Sequence, residues 1–109
     1  MREEKKNYSV KIVDKFHNDA SEDYTIHGFS TKELAIEYAR RWVRSTLEEQ
    51  RKPNQSKEEL RRMWFIFGED AIVIDVGYAG SSELDFFIDN QATSEECDWI
   101  SIQKLAGLK

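Results

Sequence analysis

The stretch from Ser30 to Arg51 constrains the fold more than any other part of this chain. Placed at about 100° per residue on a helical wheel, Leu34, Ala35, Ile36, Tyr38, Ala39, Trp42, Val43 and Leu47 spread over roughly 220° of the surface. A helix resting on one sheet face needs an apolar stripe of only about 100°. A helix over 31–51 must therefore be covered from two sides, most simply by a sheet and by a second helix. Ser30 with Glu33 spells a capping box for its start, and Ser56/Glu59 and Thr93/Glu96 repeat the spelling. Pro53 and Asn54 interrupt the helical pattern. A second helix follows over 57–67, with Leu60, Met63, Trp64 and Phe67 as its stripe and Gly68 expected as a left-handed cap.

On either side of the helices the period changes to two, the signature of half-buried strands. Tyr8, Val10 and Ile12 alternate with polar residues, and Tyr24-Thr25-Ile26-His27 resumes the alternation after a polar turn from His17 to Asp23. Residues 8–16 and 23–29 read as an antiparallel hairpin. A second hairpin is expected beyond Gly68, with 71–76 as one strand, a turn around 79–82, and 84–88 as the other. An odd-length loop would set Tyr78 against Leu84, Val76 against Phe86 and Ile74 against Ile88, giving one clean apolar face. The tail reads as a helical turn at 94–98 followed by an edge strand at 99–102, with one longer helix as the alternative.

The resulting class is α+β. A single domain over 7–109, after a disordered segment 1–6, carries a mostly antiparallel sheet of four or five strands. It packs on a long helix and a shorter second one, in the order β-β-α-α-β-β with a short helix and edge strand at the C-terminus. A chain of 109 residues, 39% of them hydrophobic, can bury such a core without a metal or disulfide staple. Cys97 is the sole cysteine, so an intramolecular disulfide or a thiolate zinc site is excluded. The charged start and the lack of any long apolar run argue against a signal peptide or a membrane span, and a cytoplasmic protein is expected.

Charge divides the chain. Residues 1–39 carry a net −2, residues 40–68 a net +4 and residues 69–109 a net −7. Arg40, Arg44, Arg61 and Arg62 lie in the basic helical segment 40–62, which raises nucleic-acid or phospholigand binding. Glu37–Arg41 and Arg44–Glu48 at i, i+4 favour instead an ion-paired helix face. At the acidic end, Asp75, Asp85 and Asp89 would share one face of the second hairpin, the arrangement a metal-dependent or acid–base enzyme would use. Acids alternating along an edge strand also serve simply to discourage aggregation.

Other catalytic patterns are missing. His17 and His27 have no metal-ligand spacing, the five glycines spell no phosphate loop, and Cys97 sits among acids that disfavour a thiolate. No catalytic residue, metal or cofactor is assigned on these grounds. Phe65 and Ile66 fall outside the stripe of the second helix, unless that helix ends at about Arg62 and both turn into the core, and Trp99 is expected near a sheet edge. Large apolar groups left outside a core mark contact surfaces. The leading expectation is therefore a non-enzymatic protein-interaction or self-associating module, a homodimer being one form of it, working through Phe65, Ile66 and Trp99.

Overall fold

The computed structural model describes residues 7–14 and 24–108. The segment 1–6 and the turn from His17 to Asp23 lie outside the described residues. The chain runs β1 (Tyr8–Asp14), β2 (Tyr24–Phe29), α1 (Lys32–Gln50), α2 (Lys57–Phe67), β3 (Glu69–Val73), β4 (Tyr78–Ala79), α3 (Leu84–Asp89) and α4 (Trp99–Leu105). Single 3-10 turns occupy Ile74–Val76, Gly80–Glu83 and Glu95–Cys97. The sheet order is β2-β1-β3-β4, antiparallel throughout, which makes an α+β fold.

Register follows from the alternation in β1. Val10 faces Val73 and Ile26, Ile12 faces Ala71 and Tyr24, and all point to the side where α1 lies. Val10, Ile12, Ala71 and Val73 are fully or almost fully buried, together with Phe29 from the end of β2. From α1, Ala35, Tyr38, Ala39, Trp42, Val43 and Leu47 complete the core. The wide apolar arc of α1 is covered on two sides, as its wheel demands. The second cover is only partly α2. Most of it is the chain after β4, whose α3, 3-10 turn and α4 close over the helix.

Two strand expectations are overturned for a shared reason. Leu84–Ile88 is helix α3, not the partner of β3, because its apolar residues work at helical spacing. Leu84, Phe87 and Ile88 are buried at i, i+3 and i+4, while Phe86 is 57% exposed. The fourth strand is the two-residue β4, with Ile72 facing Ala79 and Val73 facing Tyr78. β3 stops at Val73, and the 3-10 turn ends at Gly77 with φ +68°, a left-handed position suited to glycine. The pairings of Val76 with Phe86 and Ile74 with Ile88 therefore do not form. Likewise Trp99–Ile102 is helical and no edge strand. Asp98 caps α4, one carboxylate oxygen accepting from Ser101 N–H at 3.0 Å and the other from its hydroxyl at 2.6 Å.

The caps show where short-range spelling is decisive. The Ser56 hydroxyl accepts from Glu59 N–H at 3.0 Å, and Thr93 and Glu96 make both bonds of a capping box, around a 3-10 turn. At α1 the cap is Thr31, not Ser30, accepting from Leu34 N–H. Gly68 is extended (φ −83°, ψ −177°), not left-handed. Its role is close approach. A β-carbon there would lie 2.2 Å from the Trp64 ring, which is fully buried and donates its indole N–H to the Thr46 hydroxyl at 2.9 Å. Phe67, expected in the stripe of α2, is instead 46% exposed.

Gly68→Ala should therefore lower stability by about 1–3 kcal/mol through overpacking against Trp64. Urea unfolding followed by tryptophan fluorescence reads the loss, and an unchanged midpoint would contradict the packing described for this turn.

Candidate functional site

Every candidate arginine of α1 is turned toward the chain that follows β4. Arg40 donates from Nε to Glu83 at 2.8 Å and lies over the Tyr78 ring. Arg41 bridges Glu37 and the Asp98 carbonyl. Arg44 donates to the Asn90 carbonyl at 2.6 Å, stacks on Phe87 at 4.6 Å, and comes within 4.0 Å of Glu96. Only 11% of its side chain is exposed, and its Nε is buried without a hydrogen-bond partner. Arg51 grips Glu48 from Nε and Nη2, and donates to the Ile88 carbonyl from Nη1 and to the Phe87 carbonyl from Nη2. The segment between β4 and α4 is thus strapped across α1 by guanidinium groups, which suit this because their planar fork satisfies several acceptors at once.

A second set of pairs joins α2 to α3. Arg61 meets Asp85, and Lys57 meets Asp89 at 2.6 Å. Lys57 and Arg61 are one turn apart, as are Asp85 and Asp89, and the later residue of one helix meets the earlier one of the other. The two helices therefore run antiparallel along this edge. Arg62 is exposed on α2.

The basic middle and the acidic end expected as two separate faces are thus largely partners of each other. Arg40, Arg44 and Arg61 are engaged within the molecule and make no common phosphate-facing cluster. The acidic residues are dispersed in the same way. Asp75, Asp85 and Asp89 share no face, since Asp75 accepts from Ser9 N–H at 2.9 Å while the other two lie on α3. Among the described residues no group of three or more His, Cys, Asp or Glu could hold a metal ion. Asp70 is buried, and its carboxylate accepts from Ala71 N–H and from the backbone and hydroxyl of Ser81, pinning the turn after β4 to β3.

Titratable groups respond to this strapping. Partial burial pushes Glu83 upward, but hydrogen bonds from the Tyr78 hydroxyl and Arg40 outweigh it and hold the carboxyl below its ordinary value. Burial first, and the Glu83 bond second, raise the Tyr78 phenol. The Cys97 thiol is raised chiefly by burial, then by Glu48, so the source is less its flanking acids than the cover above it. Cys97 lines an open cavity of about 450 Å³ with Glu48, Arg51, Lys52 and Thr93. Glu48 and Arg51 are already bonded to each other, and Glu48 also accepts from Ala92 N–H at 3.1 Å. His27 sits on the outer side of the sheet with its Nδ1 2.9 Å from the Ser9 hydroxyl, and His17 lies outside the described residues.

The apolar candidates separate. Trp99 does not stand at a sheet edge. It packs on Trp42 at 4.3 Å and edge-on to Tyr38 at 6.0 Å, as the lid of the core on α4. Phe65 and Ile66 are 48% and 39% exposed at the end of α2, and Phe86 of α3 adds a third large apolar group on the same helix pair. Phe86 was missed because a period of two placed it inward. The matched one-turn spacing of Lys57/Arg61 and Asp85/Asp89 was the signal that could have joined the two helices in advance.

The chain matches no family model, no curated protein and no solved structure.

Because the folded Glu83 carboxyl titrates below its unfolded value, its contribution to stability is present above the ordinary glutamate value of about 4.3 and fades as pH falls through the lower folded value. Glu83→Gln should thus be less stable than the parent at neutral pH, with the gap closing in acid. Urea midpoints across a pH series test this, and a gap that widens in acid would contradict it.

Proposed function

We propose that this protein is a non-enzymatic protein-interaction module whose docking surface is the outer face of the α2–α3 pair. The observation that supports the reading is the exposure of Phe65, Ile66 and Phe86 on two helices clamped together by Lys57–Asp89 and Arg61–Asp85. Recognition surfaces commonly have this composition, with aromatic side chains inside a polar rim that sets orientation. The partner that fits is a protein segment presenting apolar side chains, with charges placed to meet Arg62, Glu58 and Glu59 at the border. Arginines spent on carboxylates and carbonyls leave less for phosphate binding, and the dispersed aspartates favour no acid–base site. A reducing cytoplasmic setting accords with one free cysteine.

The reading is tested by placing a photo-crosslinking phenylalanine analogue at position 65 or 86, with position 33 on α1 as control, in living cells. A discrete adduct of the same partner mass is expected from 65 and 86 but not from 33, and Ile66→Asp should reduce it at least tenfold. No adduct at either aromatic position, or equal adducts at all three, would refute it.

A further inference from the structure

The cavity that holds Cys97 lies at the end of α1, and the polar groups around it divide into those already engaged and those left open. Glu48 is engaged: its carboxylate accepts from Nε and Nη2 of Arg51 and from Ala92 N–H. Arg51 is engaged as well, since Nη1 and Nη2 also reach the Ile88 and Phe87 carbonyls. The two charges cancel within one forked pair, which fixes that wall and leaves it neutral. Thr93 donates its N–H to Glu96 at 2.9 Å and accepts from Glu96 N–H at 3.2 Å. The Glu96 carboxylate is thereby turned onto its own turn and toward Arg44, 4.0 Å away, and does not line the cavity.

Lys52, Gln91 and Ser94 line the same cavity, and among the described residues their side chains make no hydrogen bond or ion pair. All three are exposed. An ammonium, a carboxamide and a hydroxyl form a donor-rich set with one positive charge. The rest of the lining includes Pro53, Ala92 and the Cys97 thiol. Burial, with Glu48 next in effect, raises that thiol, so at neutral pH it is an uncharged, weakly polar surface. A volume of about 450 Å³ falls within the range of small-ligand sites.

We propose that this cavity binds a small organic anion, a carboxylate or phosphate ester with a short apolar tail, its acid group held by Lys52 with Gln91 and Ser94 and its tail on Pro53, Ala92 and Cys97. Charge selects the class. A cation would meet Lys52 and find no carboxylate in the lining except Glu48, which it could take only by displacing Arg51. The carbonyls that would repel an anion at the end of α1 are partly engaged, Glu48 by Arg51 N–H and Gln50 by the Gln55 amide. Lysine suits the acid group because its flexible stem and three rotatable donors follow carboxylate and phosphate alike. Charge-assisted hydrogen bonds are also the stronger kind. The cavity shares no residue with the apolar group on α2 and α3, so this inference does not depend on the partner proposed there.

Chemical-shift titration of the isotope-labelled full chain with sodium butyrate and with butyl phosphate tests the site, with n-butanol as the neutral control and butylammonium as the cationic one. At least one of the anions should move the Ala92, Ser94 and Cys97 amides saturably. The same anion should slow alkylation of Cys97 by iodoacetamide, because its tail covers the thiol. Whichever anion does so identifies the acid group. Lys52→Met keeps the stem of an exposed side chain and removes its charge, and should weaken that binding by roughly tenfold or more. Far-UV circular dichroism checks that the variant is folded. The inference is overturned if neither anion gives a saturable shift, if n-butanol or butylammonium matches them, or if folded Lys52→Met binds as tightly as the parent.

Discussion

Burial of α1 from two sides is the constraint on which the rest of this structure depends. One side is met by the sheet, through Val10, Ile12, Ala71 and Val73. The other needs a cover that no single partner helix supplies, and the chain after β4 provides it by crossing α1 from the β4 side to the β2 side. Tyr38 and Trp42 form the hinge of this arrangement, touching Phe29 and Tyr24 below and Trp99 above. Aromatic pairs at such offset and edge geometries add roughly 0.5–1.5 kcal/mol each beyond the area they bury.

The cover is held by arginine more than by ion pairing alone. An exposed pair such as Lys57–Asp89 contributes no more than about 1 kcal/mol. Arg41, Arg44 and Arg51 also reach backbone carbonyls at the end of α3 and at the start of α4. Those carbonyls would otherwise be poorly satisfied near the core, and losing a buried hydrogen-bond partner costs more than an average bond contributes. The basic middle of the sequence is therefore spent largely on organising its acidic end. This accounts for the charge division more economically than a polyanion ligand does.

Among the described residues, large apolar side chains are exposed at Phe65, Ile66, Phe67 and Phe86 on the α2–α3 pair, at Ile74 and Val76 in the turn after β3, and at Tyr24, Ile100 and Leu105 elsewhere. The group on α2 and α3 has the composition of surfaces through which proteins meet proteins.

By itself, the sequence determined the elements whose signal is local and periodic: β1 and β2 from alternation, α2 at 57–67, α1 to within a residue at each end, and the need to cover α1 twice. It set Phe65 and Ile66 off the stripe of α2 but left open an early helix end that would bury both, and the full-length α2 leaves both part-exposed. It misassigned 84–88 and 99–102, where short apolar runs satisfy a period of two and a period of 3.6 almost equally well. Only the tertiary structure decided those cases, because Leu84, Phe87 and Ile88 bury together as helix, whereas a strand would have buried Phe86 in place of Phe87. The same holds for the arginines. Residue types and spacing reveal an i, i+4 pair, but the acceptors that Arg44 and Arg51 chose are carbonyls of distant residues, which carry no side-chain signature and come within reach only when the chain has folded over α1.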